Sequence, residues 1–225
     1  MRYHIDTGLI IEKFSTDCRC PLCEIKKIVE EQFLHEFLND AVMEDNTRIK
    51  VGKKGFCARH FDMLFSRQNK LSLALQIETR LDKLAPLYSQ IKSAKAGTRL
   101  TKKIEQSAKT CAICELTEES MVKYYKTVAQ LFYNEKEFCK ILIKSSGFCM
   151  EHYAKLLEYS KYAGGLKDSY VEVLSGVQNR TMFVAKDNIH EFCIKHDYKN
   201  ALKPLGSAEN ALPDVRAKLY GEKIQ

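Results

Sequence analysis

The chain has 225 residues, 45% of them hydrophobic and 29% charged, with only four prolines and ten glycines. That composition fits one large or two small globular domains and argues against long disordered or collagen-like segments. The formal charge of +7 is uneven, because residues 1–110 hold twenty Lys and Arg against fourteen Asp and Glu, while residues 111–225 hold sixteen against fifteen.

The first residues include Arg2, His4, Asp6, Glu12 and Lys13, so no apolar run of signal-peptide length forms there. No later stretch approaches the ~18 apolar residues of a membrane span. Residues 1–19 read as an N-terminal extension, and the chain as cytoplasmic with no membrane partner. Pro21 sits where a helix can begin, since its missing N–H would be unpaired there anyway. From Glu24, the residues Ile25, Ile28, Val29, Phe33, Phe37, Leu38 and Ala41 recur at three- and four-residue steps, which predicts an amphipathic helix ending near Glu44-Asp45-Asn46. One or two helical turns follow to Lys54, and Gly55 breaks the chain. A helix with Phe61, Leu64 and Phe65 starts near Cys57. Asn69 then separates it from a longer one striped by Leu73, Ile77, Leu81, Leu84, Tyr88 and Ile91, which Pro86 should kink or end early.

Residues 93–109 are polar and basic and read as a connection with at most a short helix at its end. The helical pattern restarts after Cys111 and is punctuated at Asn134. A helix with Tyr153, Leu156 and Leu157 follows, and Gly164-Gly165 breaks the chain. A last long helix carries Tyr170, Leu174, Val177, Thr181, Val184, Asn188 and Phe192. Residues 197–206 read as a loop, after which Ser207 caps a short terminal helix whose first turn Pro213 marks. No segment alternates with period two, so the expected fold is all-α.

Chemistry concentrates in a motif that occurs twice. Cys20-Pro21-Leu22-Cys23 is answered about thirty-five residues later by Gly55-Phe56-Cys57-Ala58-Arg59-His60. Cys111-Ala112-Ile113-Cys114 is answered by Gly147-Phe148-Cys149-Met150-Glu151-His152. The offset is 91 residues from Cys20 to Cys111 and 92 from His60 to His152, the signature of an internal repeat. A C-x2-C or C-x2-H pair at a helix start turns both side chains toward one point, where backbone N–H groups stabilise thiolate. Three thiolates and one imidazole make the closed tetrahedral set of structural zinc. We expect two zinc ions, held by Cys20, Cys23, Cys57 and His60 and by Cys111, Cys114, Cys149 and His152, with iron–sulfur clusters as the alternative. A helical hairpin would return Cys57 and His60 beside Cys20 and Cys23; pairing across the copies, Cys20/Cys23 with Cys149/His152, stays open. The expected architecture is two pseudo-repeats of helical hairpin plus long helix, residues 1–98 and residues 99–225 with a C-terminal extension, either as separate domains or as one compact domain.

The remaining candidates are weaker. His190, Cys193 and His196 form a further Cys/His group without identifiable partners, Cys18 is near it in composition only, Cys139 reads as packing, and His4 and His35 stand alone. A c-type haem is disfavoured because Glu24 and Glu115 stand where histidine would be needed. There is no phosphate-binding loop, dinucleotide fingerprint, H-E-x2-H or nucleophile elbow, hence no catalytic constellation. Two basic clusters, Arg48, Lys50, Lys53, Lys54 and Arg59, and Lys92, Lys95, Arg99, Lys102, Lys103 and Lys109, could attract nucleic acid, although the interleaved aromatics of base stacking are missing. A structural or adaptor role with a protein partner is the leading functional reading; an iron–sulfur redox protein and a nucleic-acid-binding module are the rivals. The C-P-x-C opening, G-F-C-x2-H, their repetition and the segment from Phe192 through Tyr198 resemble an uncharacterised prokaryotic family, a domain of unknown function. The resemblance implies a helical fold and supports pairing the four motif halves; it implies no activity.

Overall fold

The computed structural model describes residues 5, 7–39, 44–196 and 206–222, and among them the secondary structure is helical with no strand. The expected all-α class is what the chain adopts. Two compact units are present, one from Met1–Lys27 and Met121–Gln225, the other from Ile28–Ser120. They do not follow the expected halves 1–98 and 99–225. The divide falls inside two long helices, α2 (Pro21–Leu38) and α7 (Ala112–Asn134).

The hairpin expectation fails at α2. Its 18 residues rise about 27 Å, whereas the following α3 (Asp45–Lys54) rises only about 15 Å, so the two do not cancel. Leu34, Phe37 and Leu38 at the end of α2 instead pack in one core with Val51, Leu64 and Leu73, and with Cys111, Ala112 and Ile113 of the second motif copy. α2 also stops six residues short of the expected Glu44, which becomes the cap of α3; Ala41 lies outside the described residues.

In the Ile28–Ser120 unit, α4 (Ala58–Phe65) and α5 (Lys70–Ser89) complete that core. Asn69 caps α5 by accepting from the Ser72 N–H, and Pro86 lies three residues before its end. The inner face of α5 is not the expected apolar stripe, since Leu81 and Tyr88 are exposed and Gln76 is buried. Polar residues turn inward because backbone carbonyls there need donors. Gln76 Nε2 donates to Phe37 O, and the Arg80 guanidinium donates to Gly52 O (3.1 Å), Lys53 O (2.7 Å) and Ser107 O (3.0 Å). Residues 93–109, expected as a connection, form α6 (Ala94–Ala108) over nearly their whole length. Ser93 caps it through the Ala96 N–H, and Leu100 is its buried anchor.

The other unit contains a helix where only an extension was expected: α1 (Thr7–Ser15) packs on α8 (Lys136–Lys144). Phe14 stands between Phe138 and Phe148, with ring centroids 5.6 and 5.9 Å away. α9 (Met150–Glu158) follows the second G-F-C, and a 3-10 turn over Ser160–Leu166 holds Gly164 at φ 57°. The last long helix is α10 (Lys167–Lys195), whose Tyr170, Leu174, Val177 and Gln178 are buried. The rest of its stripe is not core; Val184 is half exposed. α11 (Ala211–Tyr220) packs on α9 and α10; its cap is Asn210 rather than the expected Ser207, and Pro213 stands in its first turn as expected. The expected loop at 197–205 lies outside the described residues.

Candidate metal centres

Each G-F-C-x2-H segment is built the same way. Gly55 (φ 66°, ψ −157°) and Gly147 (φ 78°) take left-handed backbone that side-chain-bearing residues avoid. The next cysteine caps a helix in extended geometry, Cys57 at φ −72°, ψ 162° and Cys149 at φ −72°, ψ 161°. The histidine then lies one turn on, facing the cysteine sulfur at 3.3 Å in both cases. An arginine from a later helix holds the carbonyl two residues before each glycine: Arg80 on Lys53 O at 2.7 Å and Arg180 on Ser145 O at 3.2 Å.

The eight expected ligands come together in two sets, and the sets cross the motif copies. Cys20, Cys23, Cys149 and His152 form one; Cys57, His60, Cys111 and Cys114 form the other. The within-copy pairing is therefore corrected: each C-x2-C meets the other copy's C-x2-H, because α2 and α7 carry the chain from one unit to the other. In the first set, His152 Nδ1 lies 3.5, 3.4 and 3.3 Å from the sulfurs of Cys20, Cys23 and Cys149, and Cys23 Sγ is 3.8 Å from Cys149 Sγ. In the second, His60 Nδ1 lies 3.3, 3.2 and 3.3 Å from Cys57, Cys111 and Cys114, and Cys57 Sγ is 3.9 Å from Cys114 Sγ. An ion at the usual zinc distances of about 2.3 Å to sulfur and about 2.0 Å to nitrogen spaces tetrahedral ligands about 3.8 Å (S to S) and about 3.5 Å (S to N) apart. Both sets fit one ion each.

The electrostatics fit a cation as well. The Cys149 thiol is pushed far down by hydrogen bonds from the Cys20 and Cys23 thiols, while burial drives Cys20 well up. Cys111 is lowered to about 3, first by the Cys114 thiol, with help from His60 and the backbone N–H groups of Cys114 and Cys57; Cys114 is pushed up by that same neighbour. In each set one thiol is thus held down while Cys20 and Cys23 in the first, and Cys114 in the second, are pushed up, and a central cation would favour their thiolate forms.

The chain belongs to DUF6062, a family of unknown function. Its family model matches residues 1–225, the full length of the chain. No curated protein and no solved structure matches it.

The surroundings of the two sets differ. His60 Nε2 lies 2.7 Å from Glu30 Oε1, and Glu30, 2% exposed, is also gripped by both terminal nitrogens of Arg59. Burial works against the Glu30 carboxylate, but the hydrogen bonds from His60 and Arg59 hold it down to about 2. Burial likewise opposes a charged His60, yet Cys111 and Glu30 together raise it to about 9. His152 has no such carboxylate: its Nε2 is buried without a hydrogen-bond partner among the described residues. Glu30 follows Cys23 by seven residues, and seven after Cys114 stands the buried Met121; Arg59, two after Cys57, is matched by Glu151, two after Cys149. Both members of the pair change together between copies. Superposing the copies could have revealed that signal, which sequence reasoning missed.

The Cys20–His152 set has a different neighbour, the C-terminal segment. Lys218 is buried and its ammonium donates to Arg19 O (2.6 Å) and Ser146 O, the carbonyls just before Cys20 and Gly147. The Glu222 backbone N–H donates to Cys23 Sγ, and a Cβ on Gly221 would lie 3.8 Å from Cys23 Sγ and 3.9 Å from Cys149 Sγ. Three thiolates around a divalent ion leave one negative charge, and a cation stands by each set: Lys218 here, Arg59 there.

The remaining candidates do not gather. Among the described residues, the two sets are the only Cys/His/acid groups with metal-ligand spacing. Cys193 and His35 are exposed, and His196 bonds the Phe192 carbonyl at 2.9 Å. Cys18 and Cys139 are half-buried, and His4 lies outside the described residues. The first basic cluster is partly neutralised: Lys54 meets Glu115 at 3.2 Å, Lys50 meets Glu119 at 3.8 Å, and Arg59 meets Glu30. The second lies exposed along α6 and its ends.

Proposed function

We propose that this protein is a helical scaffold stapled by two structural zinc ions, one per set, with a structural or adaptor role toward a protein partner rather than a catalytic one. The observation that carries the reading is that three sulfurs and one Nδ1 fill each tetrahedron, which leaves no position for substrate or activated water. A multi-iron cluster would place its cysteines on different irons and spread the ligand atoms, whereas here all four lie within 4.8 Å of one another. That spacing favours a single ion. Two exchanged copies of one motif, each closing the other's site, are the simplest account of the repeated sequence. We place the protein in the cytoplasm, where a reducing medium keeps such thiols available. Among the described residues no helix is long and apolar enough to cross a membrane.

Elemental analysis with a visible spectrum on anaerobically purified protein tests this. The reading expects about two zinc per chain and no colour; a brown, sulfide-containing protein, or a folded one without metal, overturns it. One observation favours a nucleic-acid role beside it, namely the exposed Lys95, Arg99, Lys102 and Lys103 on α6. Duplex binding that is absent even at low salt removes that second reading.

A further inference from the structure

The two sets are protected unequally. Cys20, Cys23, Cys149 and His152 are all buried, whereas in the other set Cys114 is exposed and Cys57 half-buried. The difference has a visible cause. Gly221 and Glu222 lie over Cys23 and Cys149, and Lys218 ties that segment to both adjoining loops. In the Ile28–Ser120 unit the carbonyl before Gly55 is satisfied from within, by Thr110 Oγ1 at 2.6 Å, and Cys114 stays exposed.

We propose that Cys114 is a modification site for small two-electron oxidants of the peroxide class, and that its oxidation discharges the Cys57–Cys114 metal while the Cys20–His152 metal is kept. The inference rests on the zinc reading above. A metal-bound thiolate remains a nucleophile when solvent can reach it, and exposure selects among otherwise similar sulfurs. The Cys114 sulfur attacks the peroxide O–O bond; one oxygen leaves as water after protonation and the other stays as sulfenic acid. A second thiolate of the set, such as Cys57 with its sulfur 3.9 Å away, then attacks the sulfenic sulfur and expels the second water. Two thiolates, one peroxide and two protons give one disulfide and two waters. The ion, left with two of its four ligands, dissociates.

The test uses the full zinc-loaded chain carrying Cys193→Ser, which removes an exposed thiol that is no ligand. Hydrogen peroxide is added, zinc release is followed with a chromophoric indicator, and the oxidised cysteines are mapped by mass spectrometry. The expected result is one zinc released with Cys114 in a disulfide, and the second released at least about tenfold more slowly with Cys20, Cys23 and Cys149 still reduced. A local opening of only about 1.4 kcal/mol over the buried set suffices for that factor. Two zinc ions leaving at one rate, or early oxidation of Cys20, Cys23 or Cys149, overturns the proposal while leaving the zinc reading intact. Untreated protein without zinc overturns the zinc reading itself, and the proposal with it.

Discussion

Replacing Glu30 with glutamine should weaken one metal site and leave the other alone. The carboxylate is 2% exposed, takes the His60 Nε2–H at 2.7 Å and pairs with Arg59, so it fixes the imidazole with Nδ1 turned to the sulfurs. Glutamine keeps the shape and an acceptor oxygen but removes the charge. Outer-shell carboxylates of this kind are worth about 10–100-fold in metal affinity, or about 1.4–2.7 kcal/mol. Because Arg59 is 43% exposed, water compensates part of the loss, and we expect the lower end of that range. The pH dependence has a definite sign. The folded Glu30 titrates near 2 rather than at its ordinary 4.5, so the unfolded chain binds the proton more readily. Its stabilisation is complete above about 4.5 and is lost as pH falls through about 2. Glu30→Gln should flatten the acid limb of the stability curve in that window. The assay is competition with a calibrated chelator, run in a background where the Cys20–His152 set is removed and again with both sets present. Unchanged affinity at the His60 site, or a loss confined to the His152 site, would refute the argument.

Two further outcomes follow from backbone geometry and buried polar groups. Alanine at Gly147 should destabilise more than alanine at Gly55: both carry positive φ, costing about 1–3 kcal/mol, but the new Cβ at 147 meets the branched Thr181 at its Oγ1, Cγ2 and Cβ, whereas at 55 it meets only the outer part of the long Arg80 side chain, with Nε at 2.9 Å. Thermal melts of the two variants decide it, and equal losses would show that Thr181 does not crowd Gly147. Lys218→Met should cost about 1–3 kcal/mol by stripping donors from Arg19 O and Ser146 O. Hydrogen exchange should rise in residues 17–20 and 145–149, and an unchanged pattern would show that the C-terminal segment does not hold those loops.

The eight Cys and His residues that gather in the two sets were legible because their pattern is local. A C-x2-C at a helix start and a G-F-C-x2-H announce themselves within six residues, and two copies separate them from chance. Their pairing was not legible, for a specific reason: any C-x2-C joined to any C-x2-H gives three sulfurs and one imidazole, so composition is indifferent to which copy supplies which half. Only the paths of α2 and α7 decide, and those depend on where Leu34, Phe37 and Leu38 find a core. α6 escaped notice because it buries little beyond Leu100 and depends on the Ser93 cap and the Arg80–Ser107 contact. α1 escaped because its two buried residues, Ile10 and Phe14, sit among charges. Gln76, Arg80 and Lys218 look like surface residues by type, yet Gln76 and Lys218 are buried and Arg80 half-buried because backbone carbonyls need their donors.

The crossed pairing is the central structural claim, and one double substitution addresses it directly. Cys20 and Cys149 belong to the same set here and to different motif copies in the sequence. On the proposed two-zinc reading, zinc content of the Cys20→Ala/Cys149→Ala protein should fall from two ions per chain to one, with the remaining ion bound as tightly as before. Pairing within each copy would damage both sites at once, and a protein that keeps no tightly bound zinc would contradict the account.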